Sequence, residues 1–387
     1  MHVPDGFLDV PVSAGAGVVA AAAVAVSLRG SRRELAGGPL ATGGPERTAP
    51  LAGLVAAFIF AVQMLNFPVG AGTSGHLMGG ALAAILVGPH TAVLCLTVVL
   101  LLQAVLFADG GLTALGVNIC LIGIVTVVTA HLVFRGLVRV LPARRRPVTV
   151  ATFVAALVSV PVAAAVFTAL YAVGGTAEVS IGKVFAAMVG VHVLIGVGEA
   201  VITALTVGSV LAVRPDLVHG ARHLLPTPVL RTAPAGDGRD TTPAAAPART
   251  ADPAPASAGT PGGAPARPVR RVWLAGLAVS LLLAGVVSYY ASSAPDGLEK
   301  VAGDHGIDEQ EQEHRLGDSP LADYGVADIA NERLSGGLAG VIGVGATLVV
   351  GSGVLLAVRA RRGTTSPADT AAAAATPEGA GSSEAAR

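Results

Sequence analysis

The sequence contains few charged and few aromatic residues. Charged residues make up 13% of its 387 positions and aromatic residues 4%, whereas 52% are hydrophobic and the mean hydropathy is +0.69. This composition excludes an ordinary soluble domain of this length and predicts a multi-span helical membrane protein. The 25 acidic and 25 basic side chains give a net charge of zero. The chain therefore lacks the basic excess typical of nucleic-acid-binding proteins, and we expect no such partner.

Cysteine is scarce as well, and two familiar signals are missing. The two cysteines, Cys95 and Cys120, lie in apolar runs, so we expect no structural disulfide. The phosphate-binding loop Gly-x-x-x-x-Gly-Lys-Ser/Thr does not occur, which argues against an ATP site in this chain. No basic segment precedes the first apolar run, which argues against a cleaved signal peptide.

Nine apolar runs predict an all-α, polytopic helical membrane protein. Seven belong to an N-terminal module of residues 1–225, at 10–28, 51–65, 77–87, 91–107, 114–134, 148–173 and 184–213. Two more, 272–290 and 338–358, define a two-span C-terminal module of residues 269–362. Residues 226–268 are rich in Ala, Pro, Gly and Thr and are expected to form a disordered linker, and residues 363–387 a disordered tail.

The arginine clusters at residues 29–33 and 144–146 predict the orientation of the spans. Both clusters should face the cytoplasm, because basic loops remain inside. An even number of crossings must then separate them, so the short run 77–87 must also cross. Met1, His76 and Asp109 consequently fall on the outer face of the plasma membrane. The same rule places the acidic loop of the C-terminal module outside and the C-terminus in the cytoplasm.

The most distinctive stretch is the N-terminal tip, residues 1–7, which reads Met-His-Val-Pro-Asp-Gly-Phe. The α-amine and the His2 amide can close a five-membered chelate ring on a metal ion, and the amide and Nδ1 of His2 a six-membered ring. Such fused rings favour a nearly planar array, which suits Ni(II) and related late first-row ions. Because His2 is too large for the usual removal of an initiator methionine, Met1 should remain in place. A fourth ligand must come from elsewhere.

His76 is the leading candidate for the fourth ligand. It follows a glycine-rich loop, in which the backbone can approach a ligand closely, and imidazole commonly binds these metals. The alternative is a hydrogen-bonded structural histidine. Four further polar residues could orient the imidazoles from outside the ligand set, or could simply cap helices and close loops: Asn66, Ser74, Asp109 and Asn118.

Two other features admit competing interpretations. Glu199 lies within an apolar run, where an ionisable side chain is costly, and could serve the metal path or pair with His192. Residues 72–75, Gly-Thr-Ser-Gly, match the Gly-x-Ser-Gly pattern of rhomboid intramembrane proteases, with Ser74 as nucleophile and His131 or His192 as base. In a chain with 50 glycines this short match is weak, so we do not expect an enzyme.

Three uncommon motifs occur in order along the N-terminal module. They are Met-His-x-Pro-Asp-Gly-Phe at residues 1–7, Asn-Phe-Pro-Val through Gly-Thr-Ser-Gly-His-Leu at 66–77, and Phe-x-Asp-Gly-Gly-Leu-Thr-Ala-Leu-Gly-x-Asn at 107–118. In these motifs the chain, from residue 1 to about 225, closely resembles the CbiM/NikM family, the substrate-binding membrane subunits of cobalt and nickel energy-coupling factor transporters. The C-terminal module, with Pro-Asp-Gly-Leu-Glu at 295–299, resembles the PDGLE domain, a CbiN/NikN-type accessory subunit.

The resemblance implies a site and partners. The metal would be held by the Met1 amine, the amide and imidazole of His2, and His76. Co(II) or Ni(II) would be the transported ion, with cobalamin biosynthesis as one destination of cobalt. ATP hydrolysis in this ABC-type importer would come from separate ATPase subunits, coupled through a membrane scaffold subunit. The PDGLE module would aid loading or assembly of the site. A stand-alone metal permease or sensor is the alternative.

Overall fold

The computed structural model describes residues 1–37, 48–70, 72–142, 144–224 and 269–360. The predicted linker, 226–268, and the predicted tail, 363–387, lie outside these residues. The described part of the chain is almost entirely helical and includes one two-stranded sheet. Leucine-, valine- and alanine-rich helices satisfy most of their backbone hydrogen bonds internally, which a lipid environment demands.

The N-terminal module is built of helices that are interrupted by one short hairpin. In chain order its elements are α1 (Val10–Gly37), α2 (Thr48–Gln63), β1 (Phe67–Gly70), β2 (Thr73–Gly75), α3 (Gly80–Val87), α4 (Pro89–Leu106), α5 (Leu115–Asn118), a π-helical turn (Ile119–Val125), α6 (Thr126–Val140), α7 (Arg145–Gly174) and α8 (Ile181–Val213), followed by short 3₁₀ turns at Pro215–Leu217 and His219–Leu224. The C-terminal module contributes α9 (Val269–Gly285), α10 (Gly297–His305) and α11 (Glu332–Ala360), with 3₁₀ turns at Val287–Tyr290, Asp308–Gln310 and Ala322–Tyr324.

Seven helices in the described residues are long and apolar enough to cross a membrane. They are Val10–Leu35, Pro89–Leu106, Leu115–Val140, Arg145–Gly174, Ile181–Val213, Arg270–Tyr290 and Glu332–Ala360. They coincide with seven of the nine predicted spans and confirm an all-α, multi-pass membrane protein. An eighth apolar helix, Ala49–Gln63, is shorter and corresponds to the second predicted span.

The third predicted span, residues 77–87, is only partly helical. Its helix α3 has eight residues, or about 12 Å, against the roughly 30 Å of a bilayer core. A buried segment without regular structure, from His76 to Gly79, leads into it. His76 meets Met1, ahead of the start of α1, whereas the amides of His90 and Thr91, just after α3, donate to Glu34 near the end of α1. Residues 76–90 therefore connect opposite ends of α1.

The two modules pack against each other. α11 lies against α2 and α4, and α9 lies against α2 and α11. Small residues permit this close approach, as is usual between membrane helices. Gly343 of α11, for example, faces the rings of Phe60 and Phe107 so closely that a β-carbon there would clash. The loops of the C-terminal module are thereby brought over the end of the N-terminal module that carries Met1.

Candidate metal centre

The N-terminal tip is buried and is held by residues that follow α4. Met1 is 3% exposed, and Val3 is fully buried. The Val3 N–H donates to Asn118 Oδ1 at 2.7 Å, and Asn118 Nδ2 donates back to the Val3 carbonyl at 3.0 Å. The Gly111 N–H donates to the same carbonyl at 2.9 Å. These bonds fix the first residues of the chain in one position.

Asp5 anchors the other half of the tip. Its carboxylate accepts the N–H groups of Leu112, Thr113 and Ala114 and the hydroxyl of Thr113, at 2.5–3.3 Å. Carboxylates bind readily to a run of backbone amides at a turn that opens a helix, in this case the turn preceding α5. The motif Pro-Asp-Gly is thus more than a turn, because its aspartate docks the tip on the loop that holds Asp109.

The Met1 α-amine meets His76 at the buried end of the tip. The amine nitrogen lies 2.5 Å from His76 Nε2. The imidazole rings of His2 and His76 are stacked, with centroids 5.0 Å apart and planes 8° from parallel. Within the described residues the backbone N–H of His2 donates no hydrogen bond. An amine, an unengaged amide and two imidazoles are therefore gathered in one buried place.

The local structure leaves His76 Nε2 available as a ligand. His76 directly follows β2, which pairs with β1 in an antiparallel hairpin. Its Nδ1 lies 3.2 Å from the Leu77 carbonyl, which can only accept a hydrogen bond. With the proton on Nδ1, the lone pair is on Nε2, which faces the Met1 amine. This is the usual way in which a backbone carbonyl orients a ligand histidine.

Glu199 supports the same segment from α8. Its carboxylate accepts the N–H of Met78 at 2.8 Å and that of Gly79 at 3.2 Å. The pairing with His192 that was one interpretation of the sequence is not formed in the described residues, since His192 Nδ1 contacts the Met188 carbonyl at 2.7 Å and Nε2 has no hydrogen-bond partner. Glu199 satisfies backbone groups that a non-helical segment within the bundle leaves open.

Asp109 orients His2 and is itself held by the C-terminal module. His2 Nδ1 lies 3.2 Å from Asp109 Oδ1, and the Tyr324 hydroxyl donates to Asp109 Oδ2 at 2.6 Å. Burial lowers the pKa of His2 to about 4 against the opposing effect of Asp109, so the ring is neutral near pH 7. His2 Nε2 is buried without a hydrogen-bond partner. Because Nδ1 faces Asp109, the six-membered chelate expected from the sequence requires this ring to rotate.

Asp296, which sequence reasoning did not select, completes the cluster. Its Oδ2 lies 2.8 Å from the Met1 amine and 3.5 Å from His76 Nε2. Burial disfavours the charged form, but the opposing effects, first among them the Met1 ammonium, hold the pKa of Asp296 well below its usual range. Asp296 is the second residue of the motif Pro-Asp-Gly-Leu-Glu. The spacing Asp-x-x-Glu within this motif is a capping-box signal at the start of α10. That signal could have located the residue but not its neighbours.

Comparison with known families identifies the kind of protein that carries this cluster. The model of the CbiM family, described as a cobalt uptake substrate-specific transmembrane region, matches residues 2–217. This match covers more than half of the chain. The chain belongs to the CbiM family. The PDGLE domain model matches residues 270–360, so a PDGLE domain is fused behind the CbiM region.

Relatives of this CbiM-family chain include metal transport proteins. It is 39% identical to a putative metal transport protein of Haloquadratum walsbyi, over 56% of this chain and 93% of the relative. It is 39% identical to a putative fused nickel transport protein NikMN of Archaeoglobus fulgidus, over 57% of this chain and 68% of the relative. Identity to the fused nickel transport protein NikMN of Rhodobacter capsulatus is 45%, over 30% and 31% of the two chains. Metal transport is the general function that these relatives support.

Ser74 and Asn66, two of the residues singled out as candidates, join the hairpin to the PDGLE domain. The Ser74 hydroxyl donates to the carbonyl of Ala294 at 2.7 Å, and the Ser74 N–H donates to that of Pro295 at 2.9 Å. The Asn66 carbonyl accepts the N–H of Ser292 at 2.7 Å. Of the four polar candidates, Asp109 is the one that forms a polar contact with a histidine of the cluster in the described residues.

A cavity of about 960 Å³ opens onto the cluster between the two regions of this CbiM-family chain. His2, His76 and Asp296 lie on its wall. Its lining in the described residues carries eight carboxylates and one guanidinium: Asp5, Asp109, Asp296, Glu299, Asp308, Glu311, Asp323, Glu332 and Arg333. Such a lining concentrates cations. Among the described residues no three His, Cys, Asp or Glu side chains stand in position to hold a metal, and His2 Nδ1 faces Asp109. A site in this cluster therefore depends on the Met1 amine and the His2 amide, and on rotation of the His2 ring.

Proposed function

We propose that this chain is the substrate-capture membrane subunit of an ATP-driven Co(II) or Ni(II) importer. The ion would bind through the Met1 amine, the amide and imidazole of His2, and His76. The observation that carries the proposal is the 2.5 Å approach of the buried Met1 amine to His76 Nε2. Two nitrogens bound side by side to one ion at about 2.0 Å each lie about 2.8 Å apart, close to the observed separation.

The donor chemistry supports a late first-row ion. Amine, amide and imidazole nitrogens suit Ni(II), and Co(II) accepts similar ligands. The family description refers to cobalt, and two of the relatives are named as nickel transport proteins. The proposal therefore covers both ions, and the acidic cavity supplies an electrostatic path that favours divalent cations over anions.

The wider organisation belongs to the same proposal. Residues 1–225 would form the metal-binding module and residues 269–362 the PDGLE module, joined by the linker 226–268 and followed by the tail 363–387. The Met1 end would face outward and the C-terminus the cytoplasm, as the arginine clusters predict. Because the sequence has no phosphate-binding loop, separate ATPase subunits and a membrane scaffold subunit would supply the driving force.

Metal titration of the purified full-length protein tests the site. Ni(II) and Co(II) are titrated by calorimetry into the wild type, His2→Ala and His76→Ala. His305→Ala serves as the matched control, because that imidazole contacts the Val301 carbonyl within α10. Loss of a ligand should weaken binding by at least about 100-fold, since partners outside the ligand set alone are worth about 10- to 100-fold. Unchanged affinity in His76→Ala would refute the proposed site.

A transport assay tests the partners. Uptake of radioactive nickel is measured in cells that express this chain with and without a scaffold subunit and ATPase subunits. We expect uptake above background only with the ATPase subunits present. Equal uptake without them would favour the stand-alone permease instead.

A further inference from the structure

Asp296 is held in a fixed orientation that leaves one oxygen for the metal centre. Its Oδ1 accepts the N–H groups of Leu298 and Glu299, at 2.7 and 3.0 Å. Its own N–H donates to Glu299 Oε2 at 2.8 Å. These bonds form a capping box at the start of α10 and engage one carboxylate oxygen. The other, Oδ2, points at Met1 and His76.

The PDGLE turn is also pressed firmly against the CbiM region. A β-carbon on Gly297 would lie 2.7 Å from Ile195 and 3.1 Å from His192, both on α8, so the turn packs closely against that helix. The two hydrogen bonds from Ser74 secure the residues just before Asp296. The turn that carries the Asp296 carboxylate is therefore held in place by its contacts with α8 and with Ser74.

The separations among three atoms match those within one coordination sphere. The Met1 nitrogen, His76 Nε2 and Asp296 Oδ2 lie 2.5, 2.8 and 3.5 Å from one another. Neighbouring donors on an ion with bonds of about 2.0–2.2 Å are about 2.8–3.1 Å apart. Small adjustments would bring all three atoms onto a single ion.

Charge gives a separate reason for a carboxylate at this position. An amide nitrogen binds metal after losing its proton to solvent, so a divalent ion on the tip keeps a net charge of +1. Met1, His76 and Asp296 are all less than 8% exposed, and an uncompensated charge in such a place is costly. One carboxylate cancels that charge.

We propose that Asp296 is an additional metal ligand, supplied by the PDGLE domain to the ion held on the tip. This inference rests on the proposed function. The oxygen would lie above the plane of the nitrogen ligands and give a five-coordinate site. Such a site accommodates Co(II) as well as Ni(II), whereas four nitrogens in a plane favour Ni(II).

X-ray absorption at the nickel edge tests the proposal on the full-length protein loaded with Ni(II). Four-coordinate planar Ni(II) gives an isolated peak on its absorption edge that an axial ligand removes. Asp296→Asn is the test variant, because asparagine caps a helix as well as aspartate does and keeps α10 in place. Asp308→Asn removes an equal charge from the cavity wall without touching Met1 or His76 and is the control.

We expect the planar peak to be absent in the wild type and in Asp308→Asn, and to emerge in Asp296→Asn. A planar peak already present in the wild-type spectrum would overturn the proposal. A spectrum of Asp296→Asn identical to that of the wild type would overturn it as well. His76→Ala distinguishes failure of this inference from failure of the proposed nitrogen site. If His76→Ala loses affinity while the wild type is planar, the nitrogen site stands and Asp296 is not a ligand. If His76→Ala binds like the wild type, the nitrogen site itself is wrong.

Discussion

Adding one methionine ahead of Met1 changes a single group of the proposed site. The reactive amine becomes an amide, and the new amine is placed up to about 3.5 Å further along the chain. A second methionine is too large to permit removal of the first, so the extension should persist. Met1 is 3% exposed, and its amine lies 2.8 Å from Asp296 Oδ2, so the added residue must break this buried contact.

Two magnitudes follow from this geometry. Loss of the amine as a ligand should reduce Ni(II) affinity by at least about 100-fold, because partners outside the ligand set alone are worth about 10- to 100-fold. At 1.4 kcal/mol per decade this is about 2.8 kcal/mol. The Asp296 carboxylate also loses its cationic partner, and breaking a buried ion pair from one side costs about 3 kcal/mol of stability.

Calorimetric titration and thermal unfolding in detergent measure the two effects. The control carries the extra methionine after Arg387, away from the tip, and should behave like the wild type in both assays. If the N-terminally extended protein bound Ni(II) within about threefold of the wild type, the amine would not be a ligand. The chelate would then be wrong, and membership of the CbiM family would remain as a statement about fold.

Three further perturbations test neighbouring parts of the centre. Tyr324→Phe removes the hydroxyl that holds Asp109 and should weaken metal binding about 10-fold, whereas the control Tyr290→Phe, at an exposed position, should have no effect. Equal metal affinities in the two variants would contradict a role for Tyr324 in orienting Asp109. Ser74→Ala should lower the free energy of unfolding, measured with a chemical denaturant, by about 1 kcal/mol and leave the metal affinity within about threefold of the wild type. If Ser74→Ala abolished function while His2→Ala did not, the protease interpretation would be supported instead. The pKa of His2 is about 4 in the folded protein and about 6.5 in the unfolded chain, so between these pH values the unfolded chain binds the proton more readily. With a chelator present to remove metal, the free energy of unfolding of the protein should therefore fall as the pH drops from about 6.5 to about 4, by up to about 3 kcal/mol. An equal fall in a His2→Ala variant would contradict this.

Hydropathy predicted most of the helical spans because it is a local property, whereas the orientation inferred from the arginines stays a prediction. A run of apolar residues must form a helix in lipid whatever its neighbours are, and seven of the nine predicted spans are confirmed as long apolar helices. Residues 76–90 depended more on context. Their unwound start is tolerated because Glu199, more than 100 residues later, accepts two of its backbone N–H groups.

The candidate metal centre was likewise predictable from the sequence only in part. Chelate rings from Met1 and His2 involve adjacent residues, so covalent geometry alone predicts them, and a glycine-flanked histidine was a natural fourth candidate. Asp296 stands 295 positions from Met1 and meets it only because α9 and α11 pack against α2 and bring the PDGLE turn over the tip. Sequence determined which groups can bind a metal, because that depends on the chemistry of single residues and their neighbours. Tertiary structure decided which of them share one buried place and which carboxylate lies beside them, because packing between distant helices sets those distances.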